Sequence, residues 1–116
     1  MQDFRKLKVW QRAHELALWT YRITADFPKD EVFGLRHSMR KASVDIPAFI
    51  AEGCGKASDA EFSRTITAAV ATGNRLEYYA LMARDLNFLD GEMQSRYEQE
   101  VIEVKKMLNG FNARLQ

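Results

Sequence analysis

A chain of 116 residues that is 47% hydrophobic and 28% charged suits one domain spanning 1–116, and it can bury roughly two-thirds of the surface its unfolded form exposes, so no disulfide or metal staple is required. No apolar run approaches the roughly 18 residues of a membrane span, and no apolar stretch follows Met1-Gln2-Asp3-Phe4-Arg5-Lys6 to make a signal peptide; the expectation is a cytoplasmic protein with no membrane partner. The net charge of +1 excludes a strong whole-molecule attraction for nucleic acid, although ten Lys/Arg against seven Asp/Glu in residues 1–56, and seven against nine in 57–116, leave the first half mildly basic.

The first helix is predicted from about Lys8 to Ala25, ending before Phe27-Pro28 because proline disfavours helical geometry in the residue before it. Its core face is Val9, Ala13, Leu16, Thr20 and Ile23, flanked on opposite sides by Trp10 and Trp19. Asp30 is a candidate N-cap for a second helix over about Glu31 to Cys54. There Leu35, Met39, Ala42, Ile46, Ile50 and Gly53 keep the three-and-four spacing of a buried face across Pro47. A proline inside a helix costs about 3 kcal/mol, so the spacing predicts one kinked helix with Ile46 in the core. Phe33, Val44, Ala48 and Ala51 form a second apolar stripe suited to another subunit, with Lys41, Asp45 and Glu52 as a polar strip between the two. Gly53 and Gly55 offer the backbone freedom that ends a helix.

Ser58-Asp59-Ala60-Glu61 has the spacing of a capping box. The helix it opens carries Phe62, Ile66, Ala69, Gly73, Leu76, Ala80 and Ala83 as its seam, to about Leu86. Gly73 suggests a close helix crossing. Beyond it Leu76, Tyr78, Tyr79, Leu81, Met82 and Leu86 surround the helix, the pattern of an element buried on several sides. Asn87-Phe88-Leu89-Asp90-Gly91 turns into a fourth helix from about Glu92 to Arg114, whose inward residues are Met93, Tyr97, Val101, Val104, Leu108, Phe111 and Leu115. Four helices joined by short turns make an all-α antiparallel up-down-up-down four-helix bundle with a proline kink in helix two.

Phe4-Arg5-Lys6-Leu7-Lys8-Val9-Trp10-Gln11, Phe27-Pro28 followed by Gly34-Leu35, and Ile46-Pro47 with Ile50-Ala51-Glu52-Gly53 resemble the four-helix-bundle family of 23S rRNA intervening-sequence proteins. The resemblance runs almost end to end. It implies a cytosolic helical bundle, usually a homopentamer, and an association with rRNA; a related group of bundles accompanies retroelement reverse transcriptases. Two positions depart from the family pattern, Asp45 standing where Ser is usual and Phe49 where Asn is usual, so no role of that Asn carries over. Glu52 and Glu77 match carboxylates that recur in the family.

Motifs for chemistry are sparse. His14 and His37 fall on different helices with no His or Cys at metal-ligand spacing, and lone Cys54 makes neither a disulfide nor a zinc knuckle. Gly53-Cys54-Gly55-Lys56 departs from the phosphate-loop pattern, which needs Gly where Ile50 stands and Ser or Thr where Ala57 stands. No catalytic residue, metal or cofactor is expected. Antiparallel packing of helices two and three would put Glu77 near His37 and Arg40, in a structural ion pair, and Glu52 far away near the turn. Ile46, Pro47, Glu52, Gly53, Gly73 and Glu77 are accordingly read as structural. The leading expectation is a non-enzymatic oligomeric scaffold, a homopentamer by resemblance, binding RNA or DNA, or a protein partner. Arg5, Lys6, Lys8, Arg12, Arg36, Arg40, Lys41 and Lys56 are the candidate nucleic-acid contacts. The alternative is an enzyme with an inter-subunit site drawn from Glu52, Glu77, His37 and Tyr78.

Overall fold

The computed structural model describes residues 2–116. Four helices follow one another, α1 (Lys8–Ile23), α2 (Leu35–Cys54), α3 (Asp59–Asp85) and α4 (Gly91–Ala113), with 3-10 turns at Phe4–Lys6 and Lys29–Glu31 and no strand among the described residues. Each helix packs against the next and α4 packs against α1, while α1 and α3, like α2 and α4, face each other only diagonally. The 27 residues of α3, at about 1.5 Å each, span about 40 Å, and the long axis of the molecule measures 43 Å. Between α3 and α4 the Ser63 hydroxyl donates to Asn112 Oδ1 and Lys105 Nζ donates to Asn74 Oδ1. Position on α4 falls as position on α3 rises, the order of pairing that antiparallel neighbours produce.

The periodic faces meet in one core. Val9, Ala13 and Leu16 of α1, Met39, Ala42, Ile46 and Ile50 of α2, Phe62, Ile66, Ala69 and Leu76 of α3, and Tyr97, Val101, Val104 and Leu108 of α4 are all buried, with Ile23, Leu35, Met93 and Leu115 packed at its margin. Ser58 caps α3, its hydroxyl accepting from the Glu61 amide at 3.2 Å. Asp90 does the same for α4, accepting from Met93 at 2.7 Å. Pro47 is buried within α2, which is continuous through it.

Four expectations require correction. α1 stops at Ile23, because the Thr24 hydroxyl turns back to the Thr20 carbonyl and the Ala25 amide tightens onto Arg22. α2 begins at Leu35, not Glu31, and Asp30 is not its cap. Glu31 sits in the separate 3-10 turn and reaches forward, its Oε1 accepting from the Leu35 amide at 2.7 Å, so the capping carboxylate lies outside the helix it serves. Neither Gly53 nor Gly55 uses left-handed backbone freedom, since no glycine has positive φ among the described residues. Gly53 instead supplies space: a methyl there would overlap the Phe62 ring and the Thr65 hydroxyl of α3. Finally, the second half of α3 is not enclosed on several sides within one chain, because Tyr78, Leu81, Met82 and Leu86 are exposed.

One polar chain threads the α1 side of the core. Thr20 donates its only hydroxyl proton to the Leu16 carbonyl at 2.8 Å, so the Tyr97 phenol, 2.5 Å from Thr20 Oγ1, is the donor of that pair. Burial pushes the Tyr97 phenol well above its ordinary value, since the charged phenolate would be stripped of water there. Tyr97→Phe removes one net hydrogen bond and is expected to lower stability by about 0.5–1.5 kcal/mol. The unfolded chain loses this proton first as pH climbs past about 10, so it then binds fewer protons than the folded form and stability falls with pH. Urea titrations of parent and Tyr97→Phe from pH 8 to 11 check both points, the variant losing this part of the alkaline decline.

Candidate functional site

Most of the candidate basic residues are already engaged. Arg12 grips Glu100 of α4 through two bonds, at 2.6 and 3.0 Å, and the carboxylate raises the guanidinium pKa further, chiefly through the hydrogen bond. Arg36 donates to the Phe27 carbonyl at 3.0 Å, its Nε buried without a partner. Arg40 donates to Thr24 Oγ1 and the Tyr21 carbonyl and lies over the Tyr21 ring. These two arginines tie the start of α2 to the end of α1. Lys41 pairs with Asp45 at 3.0 Å, Lys56 with Glu52 at 3.8 Å and Arg5 with Asp3 at 3.3 Å. All three pairs are exposed, so each contributes little to stability, but each cancels charge locally.

Lys6 and Lys8 stand apart, exposed and outside every ion pair among the described residues. They line an open recess of about 630 Å³ with Leu7, Gly110 and Phe111, and α4 brings Arg114 to its rim. The geometry follows from local sequence. Asp3 caps the Phe4–Lys6 turn, and Gln11 Nε2 bonds the Arg5 carbonyl at 2.8 Å, which pins that turn beside the start of α1. Arg114 lies over the Phe111 ring. Counting charge in the first half of the chain missed Arg114; its helical spacing from buried Phe111 and Leu108 could have placed it at this end.

The acidic candidates are dispersed. Glu77 meets neither His37 nor Arg40, because its position on α3 turns it toward α4. Lys105 Nζ pairs with Glu77 Oε1 at 2.5 Å. The Lys105 stem crosses α3 at Gly73, where a Cβ would stand 2.8 Å from Lys105 Cγ. The gap at Gly73 thus admits a side chain, where the sequence suggests a close approach of helices. Glu52 lies on the α2–α3 side beside Lys56, His37 lines a different part of that side, and Tyr78 points outward. The enzyme-like set is not gathered within one chain. His14 stacks flat on Trp10 at 4.9 Å, and Cys54 is buried at the end of α2 with its thiol pKa raised by that burial. No cluster of three or more His, Cys, Asp or Glu able to hold a metal ion occurs among the described residues.

A second recess lies between α2 and α3. Lys41, Asp45 and Phe49 border it from α2 and Thr72, Arg75 and Tyr79 from α3, enclosing about 360 Å³. The two positions that depart from the family pattern, Asp45 and Phe49, therefore share one cleft.

The ends of the bundle differ in character. Phe27 and Phe88, with ring centroids 5.4 Å apart, bring the α1–α2 and α3–α4 connections to one end. Tyr21, Val32, Phe33, Tyr78, Leu81 and Leu86 stand exposed around it, Phe33 at 92%. No described helix is long and apolar enough to cross a membrane. Large apolar groups are thus gathered at one end and left open to solvent.

The sequence profile described as 23S rRNA-intervening sequence protein matches residues 5–110. Among solved structures, the fold is similar to that of a protein of unknown function of the S23 ribosomal protein family from Bacteroides thetaiotaomicron. The TM-score is 0.80 at 19% identity, over 90% of this chain and 97% of that one. No curated protein matches the sequence. With the profile covering most of the chain, from the first turn into α4, the chain belongs to the family of 23S rRNA-intervening sequence proteins.

Proposed function

We propose that the protein is a non-catalytic, cytoplasmic, self-assembling scaffold, a homopentamer by its resemblance, which holds the phosphate backbone of nucleic acid on its basic end. The observation that carries this reading is the recess beside Lys6, Lys8 and Arg114, whose three cations have no carboxylate partner among the described residues. Such a site contacts phosphate without reading bases. The exposed apolar residues at the opposite end supply the surface for assembly. Joining chains there leaves the basic ends free and repeats a weak charge bias around the oligomer.

The triple variant Lys6→Gln/Lys8→Gln/Arg114→Gln is expected to keep the parent's melting temperature and oligomeric mass while losing most affinity for single-stranded and duplex RNA at low salt. Parent affinity should fall steeply with salt, and the variant should show a shallower slope. Filter binding across a salt series measures both. Parent protein that fails to bind at low salt, or a variant that binds equally well, would remove nucleic acid from the reading. Light scattering giving a mass near 13.4 kDa at micromolar concentration would remove assembly.

A further inference from the structure

The cleft between α2 and α3 does not belong to the basic end, and its lining is of a different kind. About 360 Å³ lies within the range of small-molecule pockets, roughly 300–1,000 Å³. Its cationic groups, Lys41 and Arg75, come from facing helices. Arg75 is exposed and has neither a hydrogen-bond nor an ion-pair partner among the described residues, and the only carboxylate on the lining, Asp45, is held by Lys41 at 3.0 Å. A guanidinium in this setting suits a phosphate, which it can grip through two parallel bonds. Two half-buried rings, Phe49 from α2 and Tyr79 from α3, supply flat apolar surface in the same recess. Aromatic faces bind planar heterocycles by stacking and do so with little dependence on which base is offered.

We propose that this cleft is a mononucleotide site, with Arg75 and Lys41 taking the phosphate and Phe49 and Tyr79 the base. The cations and the rings address the two ends of one ligand, so neither inorganic phosphate nor a nucleoside alone satisfies the site. Asp45 opposes the phosphate and holds Lys41 back from it, so removing that charge strengthens binding.

Titration calorimetry of the intact protein with adenosine monophosphate, adenosine and inorganic phosphate tests this. The monophosphate is expected to bind saturably at one per chain, at least about tenfold more tightly than either fragment. Arg75→Gln should weaken the monophosphate at least about tenfold and leave adenosine unchanged. Asp45→Asn should tighten the monophosphate several-fold, a gain that a damaged fold would not produce. Lys6→Gln/Lys8→Gln/Arg114→Gln should bind it like the parent, which separates this site from the basic end. The proposal is overturned by no saturable binding up to about 10 mM, by Arg75→Gln binding as the parent does, or by loss of binding in the triple variant.

Discussion

Ile46→Ala lowers stability by about 2–5 kcal/mol. The side chain is 1% exposed and belongs to the core that joins the four helices, one residue before a proline that denies the Ser43 carbonyl its helical partner. Truncation removes three carbons from a close-packed region, and the neighbouring turn has one fewer hydrogen bond to hold it while the core relaxes. The cost combines lost transfer free energy with whatever cavity remains. Ile46→Val, which removes one carbon, should cost about 0.5–1.5 kcal/mol. Guanidinium unfolding of the three proteins at one chain concentration measures the series. An alanine variant within about 0.5 kcal/mol of the parent would mean that Ile46 does not sit in the core.

Gly53→Ala and Gly73→Ala are expected to move stability in opposite directions. Both positions are helical and both should gain up to about 1 kcal/mol from alanine's better propensity. At Gly53 the new methyl meets the Phe62 ring and Thr65 of α3, neither of which can leave without shifting a buried helix. Overpacking of this kind costs about 1–3 kcal/mol, so the variant is less stable despite its propensity. At Gly73 the methyl meets only the stem of Lys105, 2.8 Å away, and a flexible chain can move aside. That variant should be neutral or more stable, with the Lys105 contacts to Asn74 and Glu77 rearranged. Paired denaturation midpoints decide the matter, and a stabilised Gly53→Ala protein would show that α2 and α3 do not approach there.

Apolar periodicity made the fold legible because a buried stripe is a property of one helix at a time. All seven seam positions of α3, from Phe62 to Ala83, are buried. What it left out depends on the relations between helices. Asp30 has the residue type of an N-cap, but only three-dimensional geometry shows that Glu31 reaches Leu35. Glu77 follows the rotation of α3 toward Lys105, which spacing within α3 does not determine. The basic residues illustrate the same limit, since Arg12 and its acceptor Glu100 are 88 positions apart and nothing local to Arg12 marks it as taken. Arg75 and Arg114 became visible as site residues only once a neighbouring helix gave each a recess to line.

The seam between α1 and α4 also bears on how the molecule forms. Contacts along α1–α2, α2–α3 and α3–α4 link helices that are consecutive in the chain, whereas Thr20 meets Tyr97 across 77 residues and Arg12 meets Glu100 across 88. Closing a longer loop costs more chain entropy, though only logarithmically, and a bundle rich in near-neighbour contacts folds quickly. The α1–α4 seam can therefore close last, between surfaces already in place. Bonds such as Tyr97 to Thr20 would then be absent at the barrier, governing how slowly the folded chain opens and hardly affecting how fast it forms.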